Sequence, residues 1–159
     1  MNVEKYRGYG ILWGLGGAVL ALGAGCDDGI DLANARPRVV QVGAAPGSEN
    51  EATLTLWVAD GEGEPVDVTL SWVSGAASGE VLLATGSAPL LGLPTELGIN
   101  ASLGQEHAVT WDLDGVPSGA VTLLVTVDDR PFDDAEGDTY RVEGLDPRTG
   151  SAPIAAIKQ

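Results

Sequence analysis

The feature that most constrains the fold is a strict alternation of apolar and polar residues in several segments. Ala52–Val58 (ATLTLWV) has leucine or valine at alternate positions, with threonine or tryptophan between them. Val66–Trp72 (VDVTLSW) and Ala120–Val127 (AVTLLVTV) follow the same period, and His107–Trp111 repeats it. A period of two indicates half-buried β-strands. No segment after residue 26 has the period of an amphipathic helix.

Seven short strands are predicted, separated by connections rich in glycine, proline and acidic residues. They cover residues 38–42, 52–58, 66–72, 80–84, 107–111, 120–127 and 139–142. This number and spacing predict an all-β, antiparallel two-sheet sandwich over residues 38–146, followed by a flexible tail over 147–159. Trp72 and Trp111 share the apolar phase of their strands, so we expect both to be buried.

The first 26 residues have the pattern of an export signal. Lys5 and Arg7 precede an uncharged run over residues 11–24. As a helix this run spans about 21 Å, which is too short for a hydrocarbon core of about 30 Å but typical of a signal peptide.

The end of this run, Leu22–Cys26 (LGAGC), resembles the lipobox of bacterial lipoproteins, although Gly23 replaces the usual large aliphatic residue. The resemblance implies cleavage after residue 25, acylation of Cys26 and a tether over residues 26–37. Cys26 is the only cysteine, and lipidation would account for it. The prediction is therefore an exported protein, lipid-anchored to a bacterial membrane through Cys26. A soluble secreted protein and an uncleaved anchor are the alternatives.

The chain is strongly acidic. Residues 1–25 hold two of the eight basic and one of the 23 acidic residues, so a mature chain of 134 residues keeps six basic and 22 acidic ones, a charge near −16. Such a charge repels nucleic acid and anionic lipid headgroups. It serves solubility, or it attracts cations or a basic envelope protein partner.

Several segments together resemble fibronectin type III and immunoglobulin-like domains of bacterial surface proteins. The resemblance rests on Leu54–Asp60 (LTLWVAD), Val66–Trp72, Gly92–Thr95 (GLPT), His107–Asp112 (HAVTWD) and Val121–Asp128. It covers roughly residues 38–143 and implies a sandwich of about seven strands. It transfers no functional site, because sandwich folds carry many unrelated functions.

Signatures of catalysis are missing from the sequence. No nucleophile elbow, phosphate-binding loop, dinucleotide fingerprint or His/Cys metal motif is present. The single histidine, His107, lies in phase with Val109 and Trp111 of a predicted strand. We therefore expect no enzyme and no organic cofactor.

Acidic residues cluster in two connections that an immunoglobulin-like topology would bring to one end of the sandwich. Calcium binds six to eight oxygens and tolerates irregular loops, so a calcium site here is one hypothesis, although no EF-hand spacing is present. A solvated acidic end is the alternative. The candidate ligands are Asp60, Glu62, Glu64, Asp128, Asp129, Asp133, Asp134 and Asp138.

Trp57 lies opposite the apolar phase of its strand and is predicted on an outer sheet face. An exposed tryptophan favours a binding surface, unless a neighbouring segment covers it. The sequence thus predicts a cell-envelope lipoprotein with a non-catalytic interaction or structural domain. A calcium- or carbohydrate-binding module is the alternative.

Overall fold

The computed structural model describes residues 36–98, 103–129 and 137–159. Eleven β-strands run through these ranges: β1 Arg38–Pro46, β2 Glu51–Asp60, β3 Val66–Ser74, β4 Ala77–Glu80, β5 Leu82–Leu83, β6 Glu96–Leu97, β7 Gln105–Asp112, β8 Val121–Asp129, β9 Asp138–Leu145, β10 Ser151–Ala155 and β11 Ile157–Lys158. Within the same ranges there is no helix of the length and apolarity needed to span a bilayer.

The strands form two antiparallel sheets, which confirms the predicted sandwich. Sheet A has the order β10-β1-β2-β7-β5, with β6 pairing in parallel beside the end of β2. Sheet B has the order β11-β9-β8-β3-β4. The arrangement β1-β2-β7-β5 facing β9-β8-β3-β4 is compatible with the immunoglobulin-like order A-B-E-D facing G-F-C-C′.

The core lies between the sheets and is built from the alternating apolar positions. Leu54, Leu56 and Val58 of β2 are fully buried, as are Leu123 and Val125 of β8. Side chains on a strand point alternately to its two faces, so each strand contributes every second residue to this core.

The two tryptophans that share the apolar phase are buried, as predicted. Trp111 is 0% exposed and Trp72 is 7% exposed. Trp72 packs over its cross-strand neighbour Gly79, where an added Cβ would lie 3.1 Å from the indole ring. The glycine therefore makes room for the ring at the edge of sheet B.

The structure differs from the sequence prediction at the sheet edges. The predicted strand over residues 80–84 is divided, with β4 at the edge of sheet B and β5 at the edge of sheet A. The expected flexible tail over 147–159 contains β10 and β11. Because β10 pairs with β1 while β11 pairs with β9, this last segment crosses from one sheet to the other. These strands are too short to show a period, and their pairing is set by distant residues.

The strand directions define two ends of the sandwich. The proximal pole holds the start of β1, the β2–β3 connection, the end of β8, the start of β9 and the end of β11. The distal pole holds the β1–β2, β3–β4, β7–β8 and β9–β10 connections.

Candidate functional site

The proximal pole brings together the two connections that carry the predicted acidic cluster. Val66, at the start of β3, pairs with Asp129, at the end of β8. Asp133 and Asp134 lie outside the described residues. The remaining six candidate ligands lie within the described ranges.

Asp60 ends β2 and is 1% exposed. Its Oδ1 accepts hydrogen bonds from the backbone N–H groups of Glu62 at 2.9 Å and Glu64 at 3.0 Å. The carboxylate therefore closes the turn into β3 by accepting from two backbone donors of the turn. Its Oδ2 is buried and has no hydrogen-bond partner among the described residues.

Asp138 begins β9 and lies between two cations. Its Oδ1 accepts a hydrogen bond from Arg36 Nη1 at 3.1 Å, and its Oδ2 pairs with Lys158 Nζ. The carboxylate thus joins the segment that leads into β1 to the last strand of the chain. The negative charge of Asp138 is thus already compensated by Arg36 and Lys158. A calcium ion bound to this carboxylate would have to displace these two side chains.

Tyr140 supports the same junction from inside the sandwich. Its hydroxyl donates a hydrogen bond to the Pro37 carbonyl at 3.2 Å. Burial, and after it the nearby Asp138 charge, raise the pKa of Tyr140 to about 12, while the Arg38 charge opposes the shift. The phenol therefore stays protonated and keeps its donor role up to high pH.

The other acidic candidates are dispersed. Glu62 is exposed, while Asp129 is buried. Asp128 lies on the outer face of sheet B directly across from Asp67, and one oxygen each of Asp128 and Glu64 is buried without a partner among the described residues. Within the described ranges, no three or more His, Cys, Asp or Glu side chains converge in a way that could hold a metal ion.

The calcium hypothesis stays a prediction, because two of its eight residues lie outside the described ranges. Calcium that binds the folded state alone would stabilise it by about 2.7 kcal/mol when the free calcium concentration is a hundred times the dissociation constant. The midpoint temperature of thermal unfolding would rise as a result. Equal midpoints with calcium and with a chelator would remove the hypothesis.

Trp57 lies on the outer face of sheet A, as its phase predicts. It is partly buried, and its cross-strand neighbours are Gln41 on β1 and Glu106 on β7. The segment before β7 approaches it closely: a Cβ at Gly104 (φ +74°) would lie 2.9 Å from the Trp57 carbonyl carbon. Glu96 fixes this approach by accepting a hydrogen bond from the Gly104 N–H. Gly104 therefore packs against the backbone of Trp57, and the residue as a whole keeps part of its surface accessible to solvent.

A shallow polar groove of about 400 Å³ lies along the same side of sheet A. Its walls are residues 84–88 on one side and residues 108–110 of β7 on the other, with Glu51 beside them. Thr110 joins the walls, because its N–H donates to Ser87 Oγ at 3.3 Å and its carbonyl accepts from Ala84 N at 2.9 Å. This groove could not be predicted from the sequence, because residues 84–88 have no periodic signal.

His107 has a structural contact. Its Nε2 lies 2.7 Å from the Pro94 carbonyl oxygen, so the ring contacts the connection between β5 and β6. Cys26, the predicted lipidation site, lies outside the described residues. No family model, curated protein or solved structure matches this chain.

Proposed function

We propose that this chain is a lipoprotein of a bacterial cell envelope, anchored through acylated Cys26, whose acidic immunoglobulin-like sandwich is a non-catalytic interaction or structural domain. The sandwich fold is compatible with such a role, and the lipobox-like sequence ending at Cys26 supports the anchor.

The proposal of a non-catalytic domain rests on one observation. The side chains that could act as acids or bases in catalysis make contacts that stabilise the fold. Asp60 caps a turn, Asp138 pairs with two cations, and His107 contacts a backbone carbonyl. A general base needs a side chain that can reach a substrate proton, and each of these groups already has an internal partner. The outer face of sheet A, by contrast, contains the partly buried Trp57 and the exposed carboxylate of Glu106.

The anchor is tested by feeding expressing cells a clickable fatty acid and measuring label on the full-length chain. Wild-type chain is expected to carry label and to remain with membranes, since several acyl chains bind a bilayer far more tightly than one. Cys26→Ser is expected to lose the label. A matched Ser48→Cys variant on the Cys26→Ser background separates specific acylation from labelling of any exposed cysteine. Label that persists in Cys26→Ser would refute the anchor.

The interaction role is tested by cross-linking intact cells and capturing the tagged, anchored protein. An envelope protein recovered in a constant ratio to the captured chain supports an interaction domain. Recovery of the chain alone at several cross-linker lengths would contradict a stable protein partner and leave only the structural role.

A further inference from the structure

Part of the edge of β7 pairs with no described strand. Thr110 directs both its N–H and its carbonyl away from β2, toward Ser87 and Ala84. In an antiparallel strand, alternate residues direct their backbone groups to the same side, so Glu106 and Ala108 direct theirs to this edge too. β5 pairs only with Trp111 and Asp112. No described strand pairs with Glu106 and Ala108 on that side.

The sheet face beside this edge is anionic and contains one aromatic ring. Glu106 lies directly opposite Trp57 in a pair without mutual backbone hydrogen bonds, the geometry that brings side chains closest. β2, β5, β6 and β7 contain no lysine or arginine. Glu106 is exposed and makes no ion pair with a described residue. A cation held near this carboxylate would also face an indole, which attracts positive charge.

The geometry points to one kind of occupant. We propose that an extended, lysine- or arginine-containing segment of a partner protein adds to sheet A along Glu106 and Ala108. Its backbone pairs with the open groups of β7, and one cationic side chain lies between Trp57 and Glu106. The end of the segment enters the groove beside Thr110. Strand addition of this kind takes affinity from main-chain hydrogen bonds and specificity from alternate side chains. The proposal rests on the interaction role proposed above and names the chemistry of its partner.

Length and charge fit this arrangement. From Glu106 to Thr110 the strand extends about 14 Å, at about 3.4 Å per residue, so a segment of about five residues reaches from Trp57 to the groove. The chain has a net charge of −15, so a basic segment is also steered toward the protein over the Debye length of about 8–10 Å.

The test measures fluorescence anisotropy of labelled peptides with the full-length chain in a nonionic detergent. One peptide alternates threonine and lysine, a second alternates threonine and glutamate, and a third is the lysine peptide N-methylated at alternate amides. The lysine peptide is expected to bind, the glutamate peptide to show no binding, and the N-methylated peptide to bind about tenfold more weakly. Equal binding of the lysine and N-methylated peptides would overturn strand addition.

Variants locate the site. Glu106→Gln is expected to weaken the lysine peptide about threefold to tenfold, and Trp57→Ala by a similar factor. The matched control Glu80→Gln removes a carboxylate that is also exposed, from β4 of sheet B, and less than a twofold change is expected. If Glu106→Gln and Glu80→Gln weaken binding equally, the attraction is general and the proposed surface is wrong.

A backbone variant tests the edge itself. Ala108→Pro removes an N–H that faces the open edge and leaves the ladder to β2 intact, a position where strand proline is tolerated. We expect it to weaken the lysine peptide about fivefold, with thermal unfolding measured alongside. Unchanged peptide binding by a folded Ala108→Pro would overturn the pairing.

The two proposals fail in distinguishable ways. If cross-linked cells give the same partner with Glu106→Gln and Trp57→Ala as with wild type, the interaction role stands and this surface is wrong. If no partner is captured while the lysine peptide binds as described, the surface stands and the interaction role fails.

Discussion

The connections at the two poles of the sandwich are stabilised by side chains of opposite charge, an aspartate at the proximal pole and an arginine at the distal pole. At the proximal pole Asp138 forms ion pairs with Arg36 and Lys158, and so connects the first and last described segments of the domain. At the distal pole Arg148 Nη2 donates hydrogen bonds to the carbonyl oxygens of Leu113 at 3.2 Å and Val116 at 3.0 Å. These two bonds stabilise the β7–β8 connection.

Each pole also contains an aspartate that caps a turn, but in different surroundings. Asp60 is buried at the proximal pole. Asp146 is more accessible at the distal pole, where its Oδ1 accepts backbone hydrogen bonds from Arg148 at 3.0 Å and Thr149 at 3.1 Å. The same local motif therefore occurs at two levels of burial. A buried and a more accessible carboxylate therefore have the same local role, which is to accept backbone hydrogen bonds from the residues that follow them.

Asp60→Ala is expected to give the largest loss of stability, about 2–4 kcal/mol. It leaves the part-buried backbone N–H groups of Glu62 and Glu64 without their acceptor, and hydrogen bonds to a charged group contribute about 1.5–3 kcal/mol each. Urea denaturation of the full-length chain measures the loss. Asp60→Asn keeps an oxygen at the same position and is expected to cost about 1 kcal/mol. Equal, small losses for both variants would contradict the capping role.

Arg148→Met tests the cation of the distal pole and is expected to cost about 2 kcal/mol. It removes hydrogen bonds from a charged donor to two carbonyls, contacts that contribute about 1.5–3 kcal/mol. Arg148→Lys keeps the charge without the planar fork, so its loss should lie between wild type and Arg148→Met. If Arg148→Lys matches wild type, charge alone stabilises this pole and the geometry of the two bonds is unimportant.

The difference between the poles was only partly predictable from sequence. Period two predicted the two sheets, the burial of Trp72 and Trp111, and the outer position of Trp57. Immunoglobulin-like topology also placed the two acidic connections at one end. By contrast, Asp138 meets Arg36 across 102 positions of the chain, and no local pattern encodes such a pairing. β10 contains Pro153, which usually argues against a strand but fits an edge, where one side of the backbone needs no partner.

Tyr140 gives the proximal pole a dependence on alkaline pH. Its pKa is raised to about 12, first by burial and then by Asp138, so the folded state holds the phenolic proton more tightly than the unfolded state. The resulting stability is fully present below about pH 10 and is lost as pH rises toward 12. Two pKa units correspond to about 2.7 kcal/mol, and we expect a loss of about 1–2 kcal/mol because solvent at the pole screens part of the effect.

Tyr140→Phe is the variant for this prediction. Its unfolding free energy should be lower than that of wild type at neutral pH, because the hydrogen bond to Pro37 is lost. Between pH 10 and 12 the gap should narrow. Asp138→Asn removes the second cause of the shift, so its phenol should titrate at lower pH than that of wild type, as followed by ultraviolet absorbance. A constant gap between Tyr140→Phe and wild type up to pH 12 would contradict the assignment.

Asp146 gives the distal pole a smaller dependence at acid pH. Hydrogen bonds from the Thr149 side chain, and then from the Thr149 backbone, hold the pKa of this carboxyl below its ordinary value of 3.8. A lowered pKa adds stability above the ordinary value, and that stability is lost as pH falls through the folded-state pKa. The window therefore lies below about pH 4.

Thr149→Val tests the difference between Asp146 and Asp60. It removes the hydroxyl that is the largest cause of the lowered Asp146 pKa, and it leaves the backbone hydrogen bonds to Asp146 in place. Carbon-detected NMR titration of the Asp146 carboxyl should show its pKa move up toward 3.8 in Thr149→Val. Stability at neutral pH should change far less than in Asp60→Ala, since Asp146 is accessible to water and its donors can be solvated when the cap is weakened. An Asp146 pKa that does not move would mean that the Thr149 hydroxyl is not the group that stabilises the carboxylate, and that the backbone N–H groups alone form this cap.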